Sequence, residues 1–211
     1  MRKLFIILIL ASSLWVLSGC KRYNYNRILE EVYDKDQAAR EWTYGITSIS
    51  ADEYIMYSTE MSQVDSLNRS IVFGILDQEG WPTNLSEKAN QAIWIVIDHS
   101  DAENQKKYLP LVKQKSEEGV LNKVDYAILN DRVLMNDGKP QIYGTQIKLS
   151  AVYIGEDLTT QFFLWPVENP EALDSLRNTI GLPPIEDYLQ TSGQSVGQEI
   201  IWDKNKTVSD F

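Results

Sequence analysis

The sequence predicts a mainly helical α+β domain of about five to six helices, with a small antiparallel β-hairpin or sheet in its C-terminal half. Three observations carry that prediction. Apolar residues recur at spacings of three and four through residues 26–134. Caps and breakers punctuate that stretch, among them Gly80-Trp81-Pro82 and Ser100-Asp101-Ala102-Glu103. Residues 146–154 and 160–167 then read as strands, with the turn residues Gly155-Glu156-Asp157 between them. With 211 residues, 43% of them hydrophobic, the chain is ample for one core and short for two.

The N-terminal segment reads as a targeting signal. Arg2 and Lys3 form a basic start, and residues 4–17 form an apolar run too short to span a membrane comfortably. The ending Leu17-Ser18-Gly19-Cys20 resembles the bacterial lipoprotein lipobox. That resemblance implies cleavage before Cys20, diacylation of its thiol and acylation of the new N-terminus. The plainer alternative is a secretory signal followed by a free cysteine. Cys20 is the chain's only cysteine and falls where lipidation needs one. Several acyl chains anchor stably where a single one is marginal.

The expected division is a signal peptide over 1–19, the lipidated cysteine and tether over 20–26, the domain over 27–190 and a tail over 191–211. The tether spans at most roughly 20 Å, which holds the domain close to the membrane surface. The expected location is the cell envelope, facing the periplasm from the outer membrane in a Gram-negative cell. Lys21 stands where enteric bacteria place the aspartate associated with inner-membrane retention.

Charge and composition exclude several functions. Removing Arg2 and Lys3 from the 20 basic residues leaves 18 against 30 acidic ones, a balance of −12. Such a surface argues against nucleic acid or anionic lipid as a partner. A lipidated Cys20 leaves no disulfide, cysteine nucleophile or thiolate metal site. The single histidine, His99, cannot build a multi-histidine zinc site. Any metal would sit among carboxylates and carbonyls; none is assigned, and no cofactor is expected.

The elements follow in order. Over residues 26–42, Leu29, Val32, Tyr33 and Ala39 share one side of a helix, and Asp36 and Arg40 lie within that stripe. A second helix over 51–78 carries Tyr54, Tyr57, Met61, Val64, Ile71 and Ile75 as candidate core, with Asp65 and Asn68 on the same stripe. Asp and Asn are poor helix-interior residues, because their short side chains compete for backbone hydrogen bonds. Asn84-Leu85-Ser86-Glu87 reads as a capping box before a buried helix whose body is 89–97, although 93–97 alone could pass for a strand. His99 follows on the face of Ala92 and Val96. Ser100 opens the next helix, which runs to Glu118 and stops at Gly119, with a kink expected at Pro110.

A fifth helix over 123–134 places Asp131 on the face of Val124, Ala127 and Ile128, the third apolar stripe with an acid in it. Asn136-Asp137-Gly138-Lys139 reads as a tight hairpin turn. After the strands, Asn169-Pro170-Glu171 opens a helix to about Ile180 that carries Arg177, and a short helical piece follows Gly181-Leu182-Pro183-Pro184. Gly193-Gln194-Ser195-Val196-Gly197 matches the nucleophile-elbow string G-x-S-x-G. It lacks the preceding strand and the later acid and histidine that the elbow requires, so the match is read as chance.

Asp131-Arg132 and Gln141-x-Tyr143-Gly144-Thr145-Gln146 resemble a bacterial family known as domain of unknown function 6624. Asp36-Gln37-x-x-Arg40, Gly80-Trp81-Pro82 and Ile97-Asp98-His99-Ser100-Asp101 add to the resemblance, which covers roughly residues 28–188. The family more often reads Gln-His-Ala-Asp in the last of these, so Asp98 departs from it. The resemblance implies one mainly helical domain and brings no activity.

Burying a polar group without a partner costs several kcal/mol. Asp36, Arg40, Asp65, Asn68, His99 and Asp131 are therefore expected to meet, with Arg132, Gln141, Tyr143, Thr145 and Gln146 supplied by the segment after the fifth helix. Three readings follow. One is a polar network that fixes helix register. Another is a cofactor-free hydrolase of the envelope, acting on a small polar or cell-wall-derived molecule. In it His99 is the general base, Asp36 or Asp131 orients it, and Arg40 or Arg132 stabilises negative charge. The third is a binding domain for an anionic small ligand or an envelope protein.

Overall fold

The side chain of Asn24 accepts from the Arg27 N–H at 3.2 Å and so opens the first helix, α1 (Tyr25–Ala38). The computed structural model describes residues 24–43, 50–154 and 157–211. The expected signal peptide, Cys20 and the Gly155-Glu156 part of the turn lie outside them. A capping box between Ser50 and Glu53 starts α2 (Ala51–Glu79), and Gly80 closes it at φ 71°.

α1 and α2 run antiparallel. Tyr25 Oη donates to Glu79 Oε1 at 2.5 Å near one end, and Arg40 reaches Asp65 at 2.8 Å beyond the other. α1 has 14 residues and α2 has 29, so at 1.5 Å per residue α2 extends about 20 Å past its cover. This corrects the expectation that the whole Tyr54-to-Ile75 stripe is core. Tyr54 is 56% and Ile71 39% exposed, whereas Asn68, Val72 and Leu76 are buried. Toward the overhanging end, Trp42 stacks on Tyr57 with ring centroids 5.6 Å apart.

Two caps fall later than expected. Ser86, not Asn84, caps α3 (Glu87–Asp98) by accepting from the Ala89 N–H at 3.2 Å. Asp101, not Ser100, caps α4 (Ala102–Glu117) by accepting from Asn104 at 2.9 Å, while the Ser100 hydroxyl donates back to Ile97. α4 is continuous through Pro110.

α5 (Lys123–Asn136) brings another correction: Asn136–Lys139 is not a hairpin turn. Gly138 takes φ 67°, its N–H donates to Met135 O at 3.0 Å, and the Lys139 N–H donates to Leu134 O at 2.9 Å. These two bonds form a Schellman cap, which satisfies the last carbonyls of a helix.

The hairpin lies downstream, where β1 (Ile147–Ile154) pairs antiparallel with β2 (Asp157–Leu164). β3 (Ile200–Ile201) adds to β2 in parallel, giving a small mixed sheet in the order β1-β2-β3. Between β2 and β3 come a 3-10 turn, α6 (Leu173–Ile180) and α7 (Ile185–Val196). The segment expected as a tail thus contains the end of α7, β3 and Phe211, whose ring packs against Phe163 and Trp165. The fold is mainly helical with this sheet in its C-terminal half. Among the described residues no helix is long and apolar enough to cross a membrane.

Apolar side chains gather in two clusters. Leu29, Val32, Val72, Ile93, Ile97, Val112 and Leu129 lead the one among α1–α5. Leu164, Leu173, Ile185, Leu189 and Ile200 form a smaller one beneath the sheet and α6–α7. Ser195 sits in the last turn of α7 and its hydroxyl donates to Thr191 O, so no nucleophile elbow exists here.

Gly193 is buried, and a Cβ there would lie 2.8 Å from the Gln198 carbonyl oxygen. Gly193→Ala is therefore expected to cost about 1–3 kcal/mol by overpacking. Ser195→Ala is expected to be silent, and denaturant unfolding of both variants checks the pair.

Candidate functional site

Asp36 is the centre of the first polar group. It faces inward from α1 at 1% exposure, and its Oδ1 lies 3.1 Å from His99 Nδ1 and 2.9 Å from Arg40 Nη1. Gln37 donates to its Oδ2 at 3.0 Å. Arg40 in turn donates to Asp65 at 2.8 Å, and Asn68 donates to Val32 O at 3.4 Å. His99 occupies the C-cap of α3, which turns its ring toward α1.

An ionised carboxylate only accepts, so the proton of a neutral imidazole belongs on Nδ1 and the lone pair on Nε2. Among the described residues Nε2 has no hydrogen-bond partner, and the side chain is 24% exposed. The space bounded by Asp36, Asp65, Asn68, Arg69, Val96 and His99 is too tight to admit a water molecule. A substrate would therefore meet the outer edge of the ring.

A second group adjoins the first along the chain. Asp98, buried at the end of α3, lies 3.2 Å from Arg132 Nε. Asp98 Oδ1 and Arg132 Nε are both shut from solvent, and neither completes a hydrogen bond. Burial pushes the Asp98 carboxyl above its ordinary value, and the positive charge of Arg132 opposes the shift. The outer nitrogens of Arg132 have no partner among the described residues, and its side chain is one-third exposed.

Asp131, although adjacent to Arg132, does other work. Its carboxylate accepts from the backbone N–H groups of Ile142, Tyr143 and Thr145 and from the Thr145 hydroxyl, at 2.9–3.2 Å. Burial pushes its pKa up, against the pull of these donors. From the opposite side Arg177, fully buried, donates to Tyr143 O, Gly144 O and Pro183 O, and Tyr188 donates to Thr145 O. Gln141 closes the loop onto the sheet: its amide donates to Gln146 O and Trp165 O and accepts from the Gln146 N–H. Gln146 donates to Ile128 O on α5.

The structure thus brings together Asp36, Arg40, Asp65, Asn68 and His99, with Asp98 and Arg132 alongside. It does not bring in Asp131, Gln141, Tyr143, Thr145 and Gln146. Asp36, not Asp131, meets the imidazole, and Tyr143 contributes its backbone to the loop. The loop residues attract notice in sequence because they are polar, but the Asp131 carboxylate, the Thr145 hydroxyl and the amides of Gln141 and Gln146 are spent within the loop, on the sheet and on α5.

Arg177 and Asp98 are buried polar residues outside the set expected from the sequence. Arg177 lies in the stripe of Leu173 and Ile180, the same signal that marks Asp36 and Arg40 on the first helix. Among the described residues no group of three or more His, Cys, Asp or Glu side chains is placed to hold a metal ion.

Fold and site together define a helical domain with an inward-facing Asp–His–Arg cluster and a carboxylate-clamped loop. Residues 25–200 match the family of unknown function DUF6624, and the chain belongs to that family. No curated protein and no solved structure matches it.

Two stability predictions follow. Asp131→Ala leaves three backbone N–H groups without their acceptor and is expected to cost about 3 kcal/mol or more. Urea unfolding measures the loss. For Asp98, the folded pKa exceeds the unfolded one, so the native state holds a proton that the unfolded chain has released. Its contribution is intact below the unfolded pKa of about 4 and is lost as pH rises through the folded value. Asp98→Asn is expected to flatten that decline, read from unfolding midpoints between acid and neutral pH.

Proposed function

We propose that this chain is a lipid-anchored envelope protein whose helical domain carries out cofactor-free hydrolysis of a small polar or cell-wall-derived molecule. One observation carries the reading. His99 is held through Nδ1 by a buried carboxylate, while among the described residues Nε2 is unpartnered on a part-exposed ring. A general base needs that arrangement: one ring nitrogen fixed, the other open to the proton it removes.

In this reading His99 Nε2 takes a proton from water as its oxygen attacks the substrate's electrophilic centre, and later returns it to the leaving group. Asp36 orients the ring. Arg40 is occupied by Asp36 and Asp65, so it braces the base. The outer nitrogens of Arg132 have no partner among the described residues, and it is the group suited to stabilise developing negative charge. Anchoring rests on the sequence pattern ending at Cys20 and supplies proximity to envelope substrates.

A second reading is favoured by the small volume beside His99 and by the complete pairing of Arg40. There the cluster locks the register of α1, α2 and α3 and does no chemistry. A third, the binding domain for an anionic small ligand, would rest on Arg132 in place of Arg40.

The test assays the purified domain against chromogenic esters, amides and glycosides. His99→Gln is expected to lower kcat by about 10²–10⁴-fold with the melting temperature preserved, and Arg132→Lys to lower kcat with less effect on KM. If the unaltered domain turns over nothing and His99→Gln only lowers the melting temperature, the register reading stands instead.

A further inference from the structure

A groove of about 670 Å³ lies away from His99, between α7 and β3. It shares no residue with the Asp36 cluster. Its floor is buried Leu189, Gly193 and Ile200; Trp202 forms a half-buried wall. The rim is polar and exposed. Glu186, Gln190 and Gln194 stand four residues apart on one face of α7, and Gln198, Glu199 and Lys204 face them. None of the three glutamine side chains has a hydrogen-bond partner among the described residues.

We propose that this groove binds an uncharged saccharide. Each glutamine amide offers two donors and one acceptor, the mixed complement that a hydroxyl-rich ring requires. A sugar ring also has an apolar face, and Trp202 supplies a rigid, flat surface for it at low entropic cost. Lys204 lies 4.7 Å from the Trp202 ring centroid, which pins the indole and adds a donor at the rim.

Glu186 and Glu199 against Lys204 leave the rim with one negative charge in excess, which disfavours an anionic ligand. A peptide adding to the sheet here would find β3 only two residues long, too short a ladder to hold a strand. The close approach of Gly193 to the Gln198 carbonyl brings the α7 side of the rim against the strand side. The family match ends at residue 200, so Trp202 and Lys204 lie beyond the matched stretch. The groove and the His99 reading stand or fall separately.

The experiment titrates the domain with chitotriose and with maltotriose, following indole fluorescence and heat. Saturable binding of at least one is expected. Trp202→Ala and the double variant Gln190→Ala/Gln194→Ala should each weaken it by about tenfold or more, roughly the loss of one good contact. Both should keep the parent's circular dichroism, the glutamine double variant should also keep its melting temperature, and His99→Gln should bind like the parent. No binding at millimolar sugar overturns the proposal. So does binding indifferent to the Trp202 and glutamine changes, or a groove that takes a short peptide but neither sugar.

Discussion

The fold turns on a loop held by opposite charges. Asp131 gathers the backbone N–H groups of residues 142, 143 and 145, and Arg177 gathers the carbonyls of Tyr143 and Gly144 from the far side. A loop passing through the interior must satisfy its peptide groups without water, and here two buried ionic side chains do so. Gly144 at φ 66° lets the backbone turn between them, and a Cβ there would press on Ile185 and Leu173. The loop is also the joint between the two apolar clusters: Gln146 reaches back to α5 and Gln141 forward to the sheet. Without the clamp, α1–α5 and the sheet with α6–α7 would lose their common reference point.

The polar residues at the His99 end obey different economics. Asp36 is as buried as an apolar core residue, yet three side chains with donors converge on it, so its charge is answered within 3.1 Å. Asp98 is not answered in that way. Its contact with Arg132 lacks hydrogen-bond geometry, and burial holds its carboxyl above the ordinary value. A buried pair that leaves bonding capacity unused costs stability. Such pairs also gather at functional centres, which is why Arg132 enters the proposed chemistry and Arg40 does not.

Much of this was legible before any coordinates. Helical periodicity marked Asp36, Asn68 and Asp131 as inward-facing, and all three are buried. The same test on residues 173–180 would have marked Arg177. The failures have physical causes. The stripe on α2 is real as a pattern, but α1 is too short to cover it, and a pattern does not record its partner's length. Asn-Asp-Gly serves a hairpin and a Schellman cap alike, because both need a residue with positive φ. The longer-range test, whether the last carbonyl partners lie in a helix or across a strand, is not local.

By itself, the chain's residue order determined the mainly helical class, the caps within two positions, the strands of the C-terminal half and the inward turn of Asp36, Asn68 and Asp131. Those properties follow from backbone hydrogen bonding and the 3.6-residue repeat, both of which act over a single turn. Only the tertiary structure decided which inward-facing groups meet. Asp131 and Arg132 are neighbours, yet a rotation of about 100° per residue sends one carboxylate into the clamped loop and the adjacent guanidinium to Asp98. Periodicity assigns a side chain to the interior; the packing of one helix on another assigns it a partner.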